Sequence, residues 1–235
     1  MGDVVARRFV PYEVINLPNG GAEQDASNWW KISLKASKEI ITESKVVPEQ
    51  IIGICCDSQY SVIIPVNEHA EPLMNAISYL DTRGSKYNHD MMAGFPKING
   101  MSLKKQLVFV RLNGLAPTHS GIDSLAHMLF IKNEFPDIYR KTYKILEPAD
   151  YLTSRLTGRI SASQHTTSLM MLTSNRNSGD RAYCEPLLQM SGIDQEKLPE
   201  LLPSDGIVGN ITPAVAQELG LSTETQVISG MYDNQ

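Results

Sequence analysis

One carboxylate near the end of the chain has the sequence setting of a group that does chemistry. Asp233 follows Val227-Ile228-Ser229-Gly230-Met231-Tyr232, an apolar strand running into a glycine, and Asn234 comes directly after it. Ligands of open α/β sheets bind just beyond the carboxyl ends of strands. A carboxylate there can take the proton of a substrate hydroxyl. The plainer reading, a turn residue or the N-cap of a following helix, fits the local pattern equally well. The sequence stops two residues later, which predicts that whatever Asp233 serves is completed from outside the chain. Gln59-Tyr60-Ser61 and Asp81-Thr82-Arg83 also follow predicted strands, and locally they read as turns and surface charges.

Other motifs carry less. No glycine loop ending in Lys-Ser or Lys-Thr occurs, and no Gly-x-Gly-x-x-Gly, so nucleotide phosphates find no cradle in the sequence. Ser102-Leu103-Lys104-Lys105 matches Ser-x-x-Lys, a four-residue pattern expected by chance. His119, His127 and His165 lack metal-ligand spacing and read as surface or satisfied core histidines, so no metal site is expected among them. Trp29-Trp30 could form a sugar-stacking platform, but such a pair on a capped helix more often divides into one core and one edge residue.

The elements that must position these residues alternate between strand and helix. Val4 to Ile15 reads as a strand region. Asp25 reads as the N-cap of a helix through Trp29, Trp30, Leu34, Ile40 and Ile41, with Pro48 beyond its end. Ile51 to Cys56 and Tyr60 to Val66 read as buried strands, and Asn75 to Leu80 as a third. From Ser102 the pattern is helical, with Pro148 placed like an N1 residue and Gly114 and Gly158 like residues just past a helix end. Thr212-Pro213 opens a last helix closed by Gly220, and the strand Gln226 to Ser229 follows. Strands flank a helical middle, which predicts one α/β domain with a helical insertion or layer.

Composition narrows the function classes. At 235 residues with 42% hydrophobic and 20% charged residues the chain is of ordinary globular type, and its net charge of -5 argues against a nucleic-acid footprint. No apolar run approaches the roughly 18 residues of a membrane span. Cys55, Cys56 and Cys184 are odd in number, and the adjacent pair reads as buried strand thiols of a cytoplasmic protein.

Taken in order, the segments resemble the N-terminal domain of the FGGY carbohydrate kinases, the family of xylulokinase, glycerol kinase, ribulokinase and gluconokinase. Glu23-Gln24-Asp25 with Trp29-Trp30 is similar to the family's Glu-Gln-Asp-Pro and Trp-Trp. Ile52-Gly53-Ile54, Gln59, Glu71-Pro72-Leu73, Ala76-Ile77 and Asp81-Thr82-Arg83 follow in the family's order. The most specific stretch runs from Pro136-Asp137-Ile138-Tyr139 through Leu146, Pro148 and Asp150-Tyr151-Leu152 to Leu156-Thr157-Gly158. Ser163 and Thr166-Thr167-Ser168 stand at the family's Asp-x-Ser-x-Ala-Ser segment. Gly206, Gly209, Ile211-Thr212, Ala216, Gly220-Leu221 and Gly230-x-x-Asp233-Asn234 complete the series.

The resemblance implies an actin-like, ribonuclease H-like α/β domain over residues 1–235, the sugar-binding half of a two-domain enzyme. It implies transfer of the ATP γ-phosphoryl group, with Mg²⁺, to a sugar hydroxyl, a pentulose such as xylulose first. Asp233 is then the general base and Asn234 a sugar contact. Gln59, Tyr60 and Ser61 stand at the family's Gln-Met-His, whose last two residues line the sugar site, and Asp81 and Arg83 are carried as substrate-side residues. Tyr60-Ser61 in place of Met-His implies a different sugar pocket, and His127 and Phe130 replace the Lys and Trp of the family's first signature. The family's opening hairpin with Asp-x-Gly-Thr-Thr/Ser, whose backbone donors meet the phosphates, is absent, so the domain is expected to be incomplete at its start and to require a C-terminal partner domain, with a homodimer left open. Two alternatives stand beside this expectation: a glycerol, polyol or other sugar kinase, and a non-catalytic sugar-binding module of the same fold.

Overall fold

The computed structural model describes residues 3–176 and 182–233. A first hairpin pairs β1 (Ile15–Leu17) antiparallel with β2 (Gly21–Gln24). Helix α1 (Ala26–Ser44) starts where the Asp25 carboxylate accepts the Asn28 N–H at 3.1 Å, and it ends where Lys45 turns left-handed. Strands β3 (Gly53–Ser58), β4 (Ile64–Val66) and β5 (Ala76–Ile77) follow. The helical middle comprises α2 (Ser85–Met91), the hairpin of β6 (Lys97–Ile98) and β7 (Met101–Ser102), then α3 (Leu103–Leu112), α4 (Ser124–Glu134) and α5 (Pro136–Lys141). The chain returns through β8 (Lys144–Leu146), α6 (Pro148–Thr157), β9 (Ser161–Ser163), α7 (Glu185–Ser191) and β10 (Glu200–Leu202). It closes with β11 (Ile207–Asn210), α8 (Pro213–Leu219) and β12 (Gln226–Tyr232).

Two sheets position the candidate residues. In one, the order is β11-β12-β3, with β12 antiparallel to β11 and parallel to β3. In the other, β1-β2-β5 is carried on to β4-β8 by the Ile63–Ile77 bridge, whose two N–H···O bonds are 3.1 and 3.0 Å. Helix α6 lies under the first sheet. Its Leu156 packs with Val227 of β12 and with Ile211, Val215 and Leu219 of the α8 region. Tyr151, completely buried, joins Trp29, Val62, Ile64 and Leu146 under the second. Each such side chain removed from water contributes about 1.5–3 kcal/mol. The helical middle has its own core around Phe109, Leu125, Met128 and Ile131, and α4 is buried from Ser124 through Ile131, as expected of a helix apolar all round.

Most sequence-level expectations survive. Thr212 caps α8, Pro148 is the first residue of α6, and Gly158 and Gly220 close their helices with positive φ. Trp29 is core and Trp30 half-buried, with the Arg155 guanidinium 5.1 Å from its ring. Ser102 merely caps α3, and the Lys105 ammonium donates to the Met91 carbonyl at 2.6 Å. Three expectations fail. Residues 4–14 form no strand: Pro11 removes a donor, Val4 and Phe9 stand 81% and 87% exposed, and the segment lies against α1, with Arg8 paired to Glu39 and Tyr12 packed on Trp29, rather than along a strand. Strand β3 is half-exposed rather than buried, and Cys55 faces solvent. The last strand runs on to Tyr232, past the glycine, because a bulge lets it continue. Among the described residues no helix is long and apolar enough to cross a membrane.

Candidate functional site

The parallel pairing of β3 and β12 brings two carboxyl ends to one edge of the sheet. Met231 pairs with Asp57 and Tyr232 with Ser58, and the Asp233 N–H donates to the Ser58 carbonyl at 3.0 Å. Helix α6 closes the corner from below, its Ala149 N–H donating to the Ser58 hydroxyl at 3.1 Å.

A β-bulge decides which way Asp233 faces. The register of β12 against β3 shifts between Ile228 and Met231, and Ser229 and Gly230 are both buried in succession. Strict alternation from Val227 would have put Tyr232 outward and Asp233 inward. The extra residue reverses that phase: Tyr232 is 4% exposed and Asp233 is exposed.

Asp233 opens into a cleft of about 520 Å³ that it shares with Asp57, Ser58, Gln59, Tyr60, Tyr79 and Tyr12. That size suits a small polar ligand. The Gln59 amide donates to Gln24 Oε1 at 2.6 Å, and Gln24 is itself buried, so the glutamine is held by β2. Tyr60 stacks on Tyr79 with ring centroids 5.9 Å apart, and it makes a T-shaped pair with Tyr232 with centroids 6.5 Å apart. The cleft therefore offers carboxylates, an amide and phenols, the groups that recognise hydroxyls, beside aromatic faces that pack on C–H surfaces.

Not every expected residue reaches it. Ser61 is 1% exposed in a left-handed conformation (φ 57°), and its hydroxyl donates to the Ile122 carbonyl at 2.6 Å, away from the cleft. Asp81 is fully buried. It accepts from the Ala22 N–H at 2.9 Å and from the Arg83 guanidinium, which also reaches Glu23 at 2.7 Å and lies 4.5 Å over the Phe130 ring. These two residues staple β2 to α4, and the Asp81 carboxylate together with Nε and Nη2 of Arg83 is engaged in that staple. His127 belongs to it as well. Its Nε2 lies 3.1 Å from the Asp81 carbonyl, and burial pushes its ring pKa down, so it stays neutral. Asn234 lies outside the described residues.

Asp57, Tyr12 and Tyr79 were not singled out from sequence. Asp57 directly follows the strand expected over Ile51 to Cys56, so the rule that drew attention to Asp233 would have marked it. Tyr12 and Tyr79 had no signal, since only the fold brings them to the cleft. Beneath it, Glu147 and Asp150 are buried at the start of α6, where desolvation pushes both carboxyls up to about 8. Among the described residues no cluster of three or more His, Cys, Asp or Glu is placed to hold a metal ion.

The chain is 28% identical over 234 residues, 99% of its length, to the xylulose kinase of Bacillus subtilis, of which it spans 44%. Its structure superposes on the crystal structure of xylulose kinase from Rhodospirillum rubrum with a TM-score of 0.81 at 20% identity, covering 95% of this chain and 43% of that one. Plasmodium falciparum glycerol kinase, solved with ADP, gives a TM-score of 0.76 at 19% identity, covering 95% and 43%. The chain thus spans less than half the length of the relatives it matches. Its fold is the actin-like, ribonuclease H-like α/β fold of these kinases. Residues 1–235 match the model of the N-terminal domain of the FGGY family of carbohydrate kinases, and the chain belongs to that family.

Proposed function

We propose that this chain is the acceptor-binding, general-base half of an ATP-dependent carbohydrate kinase, with a pentulose such as xylulose as acceptor. The observation that carries the reading is the exposed Asp233 carboxylate at the carboxyl end of β12, facing a cleft walled by Gln59, Tyr60 and Tyr79. Similarity to xylulose kinases supports the choice of sugar. In this reading a substrate hydroxyl lies against Asp233. Its oxygen forms the new bond to the γ-phosphorus as the bond to the β-phosphate oxygen breaks, and its proton passes to the carboxylate. Such base assistance is typically worth ~10²–10⁴-fold, and positioning and charge stabilisation supply the rest.

The described residues do not fit a nucleotide site: they include neither a glycine-rich phosphate loop nor a three-ligand metal cluster. The reading therefore assigns ATP and Mg²⁺ to the remainder of a longer enzyme, together with a second domain, and a cytoplasmic location belongs to it as well. Ser61, Asp81 and Arg83 act in it as supports of the cleft rather than as sugar contacts, and Asn234 is retained as a contact. The test is Asp233→Asn in the full-length enzyme. We expect kcat to fall ~10²-fold or more with a modest change in sugar affinity, and a variant with near-wild-type kcat would remove Asp233 from the mechanism.

A further inference from the structure

The residue before the proposed base is a buried tyrosine, and its surroundings go beyond what packing alone requires. Tyr232 is 4% exposed, and its hydroxyl donates to the backbone carbonyl of Thr166. Thr166 is completely buried at the turn after β9. Its own hydroxyl donates to Asp150 Oδ1 at 2.9 Å and accepts the Ser163 N–H at 3.1 Å. Asp150 stands in the first turn of α6, one residue beyond Ala149, whose N–H holds Ser58. Ser58 in turn accepts the Asp233 N–H.

A closed path therefore runs from Asp233 through Ser58, α6, Asp150 and Thr166 back to Tyr232. It grips the end of β12 on both sides of the peptide that carries the base. Burial pushes the Tyr232 phenol well above its ordinary pKa, so it remains a proton donor throughout the neutral range. The bulge at Ser229–Gly230 sets the phase of the strand end, but a strand end held by backbone bonds alone can twist. The phenol's bond to Thr166 supplies a second, off-axis anchor.

We propose that Tyr232 is a positioning residue for Asp233: by anchoring the end of β12 to the Thr166 carbonyl, it keeps the neighbouring carboxylate turned into the cleft. The inference rests on the general-base reading of Asp233. Its effect belongs to the transition state, where a misplaced base costs rate, and not to sugar binding.

The experiment is a double-mutant cycle in the full-length enzyme. Tyr232→Phe keeps the ring and removes the anchor. We expect kcat to fall about 10-fold while KM for the sugar stays within about twofold. In the Asp233→Asn background the same change should cost nothing further, because there is no base left to misplace. Tyr183→Phe is the control: its hydroxyl also donates to a backbone carbonyl, that of Pro199 at 2.8 Å, but it neither lines the cleft nor touches β12 by a hydrogen bond, and it should lower stability without lowering kcat. If Tyr232→Phe does not fold, Thr166→Val keeps the carbonyl, loosens its hold on Asp150 and should show the same dependence on Asp233. Wild-type kcat in Tyr232→Phe, or an equal loss with and without Asp233, overturns the inference. An Asp233→Asn enzyme of undiminished kcat overturns the general-base reading itself.

Discussion

A Cβ on Gly230 would stand 2.5 Å from the Cβ of Ala149, so β12 crosses α6 at a point where only a glycine fits. The same glycine lies in the bulge that turns Tyr232 inward and Asp233 outward. Gly230→Ala must push the strand off the helix. At the usual cost of overpacking, about 1–3 kcal/mol, the midpoint of denaturant unfolding should fall, and kcat of the full-length enzyme should fall with it. Unchanged stability would mean that strand and helix separate freely.

Sugar preference should respond to Tyr60 and not to Ser61. Tyr60 stacks on Tyr79 at the cleft, and a wall that hydrogen-bonds hydroxyls can discriminate strongly between their patterns. Tyr60→Met should reorder a panel of pentuloses, hexuloses and polyols ranked by kcat/KM. Ser61→His places a large side chain at a buried, left-handed position, and loss of stability should dominate its phenotype. A ranking unmoved by Tyr60→Met would exclude Tyr60 from recognition.

Arg83→Ala should act on stability alone. The substitution leaves Asp81, with no exposed side-chain surface, and Glu23, 12% exposed, without their cation. Breaking a buried pair in this way costs about 3–5 kcal/mol. Thermal unfolding should report the loss, while variant that remains folded should keep its sugar KM within about twofold. A large rise in KM at unchanged melting temperature would return Arg83 to the substrate.

The carboxyls under the cleft make stability fall with rising pH. Burial raises Glu147 and Asp150 to about 8 in the folded chain, against about 4 when unfolded. Between these values the folded state holds more protons. The stabilisation is complete below the unfolded pKa and is lost as pH climbs through the folded one. Melting temperature should therefore decline between about pH 4 and pH 8 and level off above, and Asp150→Asn, neutral at every pH, should flatten the decline. A melting temperature that climbs across that interval would show that the pair is ionised in the native state.

The 235-residue chain by itself should phosphorylate no sugar and should self-associate. Phosphoryl transfer needs acceptor, nucleotide and metal held in line, and the described residues supply the acceptor side. Strand β3 forms an edge of its sheet, with exposed Cys55 midway along it, and such edges pair with other chains. A coupled assay across a sugar panel and light scattering against concentration test both statements. Cys55→Lys should reduce the association, and sugar-dependent turnover by the isolated chain would sink the first prediction.

Much of the architecture was legible because it is encoded locally. Asp25, Thr212, Pro148, Gly158 and Gly220 act within one helical turn of themselves, so the ends of α1, α6 and α8 could be read from spacing. The alternation of strand and helix, and the place of Asp233 just beyond a strand, are likewise properties of short segments. Family resemblance extended this to the fold, since an ordered series of weak motifs is information along the chain.

What the tertiary structure alone decided depends on residues far apart in sequence. Asp81 and Arg83 looked like surface charges because nothing nearby announces Glu23, Ala22 or Phe130 as partners. Ser61 looked like a cleft residue until its backbone turned left-handed and Ile122 took its hydroxyl. Tyr12 and Tyr79 meet Asp233 only across the folded cleft. The direction of Asp233 itself hung on a single extra residue in β12, since a period of two makes every side chain beyond a bulge change faces. Composition and spacing cannot show a bulge that arises where Gly230 must clear Ala149, a contact that exists only once strand and helix have packed.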